Sequence, residues 1–272
     1  TVGSATAMWR RLSVYLLVTV RTRELAGSGI HAVVSSTAPN DPVVGGMMSD
    51  DTDTDPGREG RMTRSHEDTV HVLLERHGTT YAQDAGIELR DTPAPLFQLL
   101  VLANLLSARI GAKVAVASAR ELFTAGYRTP ERMRAASWRQ RVQALGRGGY
   151  KRYDERTSTM LGDGAALLID EYGGDLRRVR ERADGTDDVL EALQQFPGIG
   201  PAGAAIFARE VQGVWPGLAP FFDAKALDGA RRIGLPDDAH DLADLVPSEK
   251  LPILAAALVR VALDRTKGDP LE

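Results

Sequence analysis

The chain has 272 residues, of which 43% are hydrophobic and 26% charged, and a formal charge of −4. That is enough for one or two ordinary globular domains, and net charge by itself gives no sign of a polyanionic partner. The absence of cysteine excludes disulfides, cysteine nucleophiles, zinc–thiolate sites and thiolate-bound iron–sulfur clusters.

Residues 1–60 show no sustained hydrophobic period. The apolar run 12–20 lies between Arg10–Arg11 and Arg21–Arg23 and is shorter than the ~20 residues that span a bilayer. Its basic start imitates a signal peptide, but no small-residue cleavage site follows closely. Residues 27–61, rich in Gly, Ser, Thr, Pro and Asp, read as disordered. Met47, Met48 and Met62 are candidate starts, so the expectation for 1–62 is a disordered leader without a function of its own.

From Ser65 the pattern turns helical. Val70, Val72, Leu73 and Leu74 lie on a short helix that stops at His77–Gly78. Pro95 opens the strongly apolar segment 96–108; proline suits a first helical turn, whose N–H groups lack partners. Apolar residues on nearly every side make this a buried central helix. Further helices are expected over about 113–124, 130–145, 150–171, 186–194, 201–212, 223–233 and 249–265, separated by Gly- and Pro-rich turns. No alternating strand pattern competes, and the fold class is all-α.

Charge is uneven along the chain. Between Arg109 and Arg156 twelve Lys or Arg stand against four acids, a local balance of +8. Such a segment is either a phosphate-facing surface or a set of solvated helix faces. His71, His77 and His240 have no metal-ligand spacing.

The most informative stretch is 193–211, Leu-Gln-Gln-Phe-Pro-Gly-Ile-Gly-Pro-Ala-Gly-Ala-Ala-Ile-Phe and onward. Pro197 ends one helix, and Gly198 and Gly200 admit backbone angles closed to other residues and leave no side chain in the way. Ile199 plugs the turn into the core, and Pro201 starts the second helix. A tight turn with free amides at a helix start binds an anion, of which DNA phosphate is the natural one.

The pattern Phe196-Pro197-Gly198-Ile199-Gly200 resembles the helix-hairpin-helix motif of DNA repair enzymes, Leu-Pro-Gly-hydrophobic-Gly. The likeness extends over about 65–265. The run 95–109, ending Leu-Leu-Ser-Ala-Arg, is similar to the early buried helix of the endonuclease III type. Thr129-Pro130-Glu131, Gly149-Tyr150 before a long helix, and 222–236, opening Phe-Asp-Ala-Lys, also match elements of that type. The chain therefore resembles the helix-hairpin-helix (HhH-GPD) DNA glycosylase superfamily, endonuclease III-like.

The resemblance implies a DNA glycosylase of base excision repair. It would bind double-stranded DNA as a monomer, flip a damaged base and hydrolyse its N-glycosidic bond, in the cytoplasm at the nucleoid. It implies DNA contacts from Gly198, Ile199, Gly200, Ala202 and Gly203 of the hairpin, and puts Arg109 where a polar residue fills the gap left by the flipped base. Arg109 also reads as a solvent-facing helix end. Tyr150 and the Gly148–Gly149 turn either press on the opposite strand or are structural. Asp223 is the candidate catalytic carboxylate, stabilising the sugar cation, or a helix N-cap. Lys225 is a phosphate contact or solvated.

Two departures matter. Ala202 stands where bifunctional members carry their Schiff-base lysine, so water is the expected nucleophile and lyase activity is not expected. The cluster-binding cysteines are missing, so no iron–sulfur cluster and no other cofactor are expected, and the C-terminal region must pack through Leu251, Ile253, Leu254, Leu258 and Val261. A pairing of Asp223 with Glu210 as two catalytic carboxylates has no support in the sequence. The expected architecture has two helical lobes, 95–222 and 63–94 with 223–267, around a DNA cleft. The rival reading is a non-catalytic binder of damaged or distorted DNA.

Overall fold

The computed structural model describes residues 65–265, 268, 270 and 271. The leader expected over 1–62, its apolar run and the candidate starts lie outside them. Among the described residues every regular element is helical, in agreement with the all-α expectation.

Helix α1 (His66–His77) starts at Ser65, whose hydroxyl accepts the Asp68 N–H at 3.1 Å. A one-turn helix, α2 (Tyr81–Asp84), follows, with Thr80 and Gln83 closing a reciprocal capping box. Helix α3 (Pro93–Ser107) starts two residues before the expected Pro95, carries prolines in its first turn and buries all residues from Leu96 to Leu105. Helix α4 (Ala112–Thr124) packs on it.

The single helix expected over 130–145 is two, α5 (Pro130–Ala135) and α6 (Trp138–Arg147). The break has a local cause. Ala136 and Ser137 are extended, and Ser137 with Gln140 forms a capping box that restarts the helix. Buried Arg141 ties the break down, donating to the Met133 carbonyl at 3.0 Å, to the Ala136 carbonyl, and across to Ser158 O at 2.9 Å. Ser158 belongs to α7 (Asp154–Tyr172), which begins four residues later than expected.

Two further helices lead to the hairpin, α8 (Arg177–Glu181) and α9 (Thr186–Gln194), and α10 (Pro201–Val211) leaves it. Then come α11 (Ala224–Arg232), α12 (Ala239–Ala243) and α13 (Leu251–Leu263). The short α2, α8 and α12 have no counterpart in the expected elements, because four or five residues cannot display a helical period.

Helix α10 packs against α3, α9 and α13, while α13 packs on α1 and α11. Helix α13 is apolar nearly all round, burying Leu251, Leu254, Leu258 and Val261 among others. It forms a hydrophobic centre for the C-terminal region. No helix among the described residues is long and apolar enough to cross a membrane.

The closest backbone approach is between α11 and α13. A Cβ built on Gly229 would lie 2.0 Å from the Leu258 carbonyl oxygen, so only glycine lets these helices meet. Gly229→Ala must push two backbones apart, and overpacking of this kind costs about 1–3 kcal/mol. The expected result is a melting temperature lowered by roughly 2–4 °C per kcal/mol for a chain of this size. Thermal unfolding followed by circular dichroism checks it; an unchanged midpoint would mean the crossing has slack.

Candidate nucleic-acid interface and carboxylate site

The hairpin is built by glycine, proline and one buried amide. Gly198 has φ +83°, a left-handed value that a side chain rarely tolerates. A Cβ there would fall 2.3 Å from Asn104 Nδ2 and 2.9 Å from Met160 Sδ. Asn104, a polar residue inside the apolar α3, donates from that same Nδ2 to the Pro197 carbonyl at 3.0 Å. The turn is thus seated on α3 and α7 from below. Ile199 is buried, and its methyl groups lie 3.3–3.4 Å from where a Cβ on Gly203 would be.

Above this seat the turn is open. Gly198, Gly200 and Ala202 are exposed. The N–H groups of Gly198, Gly200, Ala202 and Gly203 find no acceptor among the described residues. Nothing lies within 4 Å of a Cβ placed on Gly200. Chemically this is a cluster of unused donors at the positive end of an eleven-residue helix.

The carboxylate site lies at the other end of α10. Asp223 caps α11, its Oδ1 accepting the Ala226 N–H at 2.9 Å. Its second oxygen is taken by the Arg209 guanidinium in an ion pair whose side chains are 12% and 3% exposed. Arg209 also faces the Tyr81 ring, 5.9 Å from its centroid. Its Nε is buried without a hydrogen-bond partner. Gln212 fixes the approach to Asp223, donating to Phe221 O and accepting from Phe221 N, both at 2.9 Å.

Glu210, the next residue, points elsewhere. It is wholly buried and accepts the N–H groups of Tyr81 at 3.3 Å and Ala82 at 2.9 Å, at the start of α2. Burial pushes its carboxyl above the usual range, while the nearby Arg209 charge and the two amides pull it back. Committed to a helix start, it is not available as a second carboxylate beside Asp223.

The other expected site residues fall in different surroundings. Arg109 is exposed just beyond α3 and makes no hydrogen bond or ion pair among the described residues. Lys225 is exposed and pairs with Asp228 at 2.9 Å. Tyr150 is buried, its hydroxyl bonded to Thr157 at 3.1 Å, so its ring has no surface to offer a DNA strand. The exposed aromatic of that loop is Tyr153. Among the described residues no group of His, Asp or Glu is arranged to hold a metal ion.

The sequence reading passed over Asn104, Arg209, Gln212 and Tyr153. Asn104, like Gln98, interrupts the apolar run of α3, and Arg209, Glu210 and Gln212 interrupt the apolar run at the end of α10. Buried polar groups at such positions are paired, which is the signal available for all but Tyr153.

No protein-family model matches the chain, and no curated protein matches it. Among solved structures the chain is similar to a trapped endonuclease III–DNA covalent intermediate in an estranged-adenine complex. That match has 20% identity, covers 72% of this chain and 85% of that one, and has a TM-score of 0.41. It is also similar to a non-covalent endonuclease III–DNA complex, at 20% identity over 70% of this chain and 80% of that one, with a TM-score of 0.44.

The ion pair makes a definite energetic statement. Arg209→Leu strands a carboxylate in a nearly closed site and should cost about 3–5 kcal/mol, whereas replacing both partners by apolar groups of similar volume is much milder. Arg209→Leu alone is therefore expected to be less stable than Arg209→Leu combined with Asp223→Leu, even though the double variant loses a helix cap worth ~1 kcal/mol. Urea unfolding of the wild type, both single variants and the double variant measures this; additive losses would show that the two side chains do not interact.

Proposed function

We propose that this protein grips the backbone of duplex DNA with the hairpin 196–203 and acts as a monofunctional DNA N-glycosylase, releasing a damaged base with water as the nucleophile. The observation that carries the reading is the set of free amides on the exposed residues Gly198, Gly200 and Ala202, on a turn with open space above Gly200. Donors fixed in place before the ligand arrives bind a phosphate oxygen without ordering cost. The +8 segment 109–156 adds the long-range attraction that such binding needs.

The chemistry rests on Asp223. Departure of a base leaves positive charge on the sugar, and a fixed carboxylate lowers that barrier electrostatically. The cap to Ala226 and the Arg209 ion pair hold Asp223 in one orientation, and pre-orientation is what such stabilisation requires. Ala202 offers no amine for a Schiff base, hence the choice of water over strand cleavage. The target base must leave the stack for its bond to be reached, and Arg109, exposed and unpaired, is proposed to fill the space it vacates. The two-lobe division, 95–222 against 63–94 with 223–267, and a DNA cleft between the lobes belong to the same proposal. Double-stranded DNA is the proposed partner, the protein acting as a monomer at the nucleoid without a cofactor.

A second reading is favoured by one specific contact. Arg209 neutralises Asp223 from a position almost closed to solvent, and a paired carboxylate stabilises a passing cation less than a free one. This favours a binder of damaged or distorted DNA without base release. A screen of full-length protein against duplexes carrying different lesions, with alkali treatment after incubation, separates the readings, since alkali exposes abasic sites that a monofunctional enzyme leaves intact.

Two variants test the parts. Gly200 has φ −99° and free space, so Gly200→Val should fold normally while its side chain keeps the backbone from phosphate; loss of one or two charge-assisted hydrogen bonds predicts roughly ten-fold or greater loss of duplex affinity. Normal binding by a folded variant would make the hairpin purely structural. Asp223→Asn keeps the cap but leaves Arg209 buried without a counter-ion, so it should fold with lowered stability. On the lesion that the screen identifies, its single-turnover base release should fall about 10²–10³-fold. Undiminished release by the Asn variant would move the catalytic role away from Asp223.

A further inference from the structure

The loop before α7 breaks a local rule at the residue that starts the helix, Tyr153, whose carbonyl accepts the Thr157 N–H at 2.8 Å. Tyr153 has φ +67°, a conformation natural to glycine and asparagine and costly for a bulky residue. Packing does not compensate, because the side chain is 51% exposed. Departures of this kind concentrate at functional positions.

A second exposed aromatic reaches the same end of α7. Trp138 is 42% exposed and anchored by one edge, its Nε1 donating to the Glu155 carbonyl at 3.2 Å. Both rings therefore flank the first turn of α7 and leave much of their area to solvent. The side chains of Arg139, Lys151, Arg152 and Arg156, on the same segments, belong to exposed residues and make no ion pair or hydrogen bond among the described residues. The acids in the same patch are Asp154, which accepts the Glu155 N–H at 3.0 Å, and Glu155 itself, so cations prevail.

Exposed rings among unpaired cations have a specific use. A base in a paired stack presents only its edges, whereas an unpaired base presents a face on which an aromatic ring can lie, and the neighbouring phosphates call for positive charge. Helix α7 links the patch to the hairpin: Met160, against which Gly198 is seated, is six residues along α7 from Asp154, about 9 Å of helix rise.

We propose that Trp138 and Tyr153 form a stacking platform for unpaired bases, so that the protein prefers DNA in which an open stretch of single strand adjoins duplex. The inference rests on the hairpin as the duplex-gripping element and adds the substrate form that the same surface selects.

The test uses the full chain and three labelled probes: a blunt duplex, the same duplex with a central bubble of unmatched thymidines, and the thymidine-rich single strand. Affinities are read by fluorescence anisotropy at two salt concentrations. The wild type should bind the bubble more tightly than the blunt duplex by roughly ten-fold or more, because stacking on one ring is worth about 5- to 100-fold in affinity. Tyr153→Asn suits the left-handed backbone, so it should melt no lower than wild type. It should lose most of the bubble preference while keeping its blunt-duplex affinity. Trp138→Leu should do the same in part.

Equal wild-type binding to bubble and blunt duplex overturns the platform and leaves the hairpin reading standing. So does a folded Tyr153→Asn, Trp138→Leu double variant that retains the full preference. Bubble and single-strand binding without duplex binding overturns the hairpin reading and keeps the platform. Binding to none of the probes overturns both.

Discussion

Two adjacent buried charges on α10 tie the structure together. Arg209 reaches forward to Asp223 at the start of α11, and Glu210 reaches back to the Tyr81 and Ala82 amides at the start of α2. A charge taken out of water is stable only when its partners are in place, so the two contacts fix segments far apart in sequence to the helix that leaves the hairpin. Arg260 of α13 adds to the knot. It stacks 4.4 Å from the Tyr81 ring centroid and bonds Thr79 O at 2.6 Å and Asp84 at 2.7 Å. The cost is visible in the one buried Arg209 nitrogen left without a partner.

This arrangement places both ends of the proposed chemistry on one rigid element. The free amides stand at the first turn of α10 and the guanidinium that orients Asp223 in its last turn, about 12 Å apart at 1.5 Å per residue. Packing of α10 against α3, α9 and α13 prevents the two ends from moving independently. A phosphate held at the hairpin therefore fixes how the rest of the DNA lies relative to Asp223, which is the positioning that reaction of a single sugar among many requires.

What was legible in the sequence is what local chemistry dictates. Glycines and prolines at 197–201 restrict their own backbone, so the turn could be read without knowledge of the rest of the fold. The apolar run of α3 declares its own burial. The pairing of Arg209 with Asp223 spans 14 residues and that of Glu210 with α2 spans 128 and 129; both depend on how helices cross, which no local pattern encodes. The division at Ser137 was missed because helical periodicity continues through a two-residue break, although Ser137 and Gln140 have the spacing of a capping box. Tyr150 and Tyr153 are both tyrosines beside basic residues, and only the left-handed turn at Tyr153 decides which ring goes inward.

The electrostatics of the carboxylate favour a role that begins with DNA already bound. Alone, Asp223 would repel phosphates approaching the hairpin, and a chain of net charge −4 has little reserve against such repulsion. Paired with Arg209 it presents almost no field at a distance, because opposite charges in contact cancel beyond a few ångströms. On the proposed reading, the exposed cations of 109–156 would then attract an incoming backbone without added repulsion from Asp223. At contact distance the cancellation is incomplete, since a group a few ångströms from the carboxylate feels the nearer charge more strongly than the farther one. The same pair can thus be silent during association and still distinguish a developing sugar cation from a neutral sugar once the strand is seated. On the proposed reading Arg209 would weaken the carboxylate as a catalyst while protecting the binding on which any catalysis would depend.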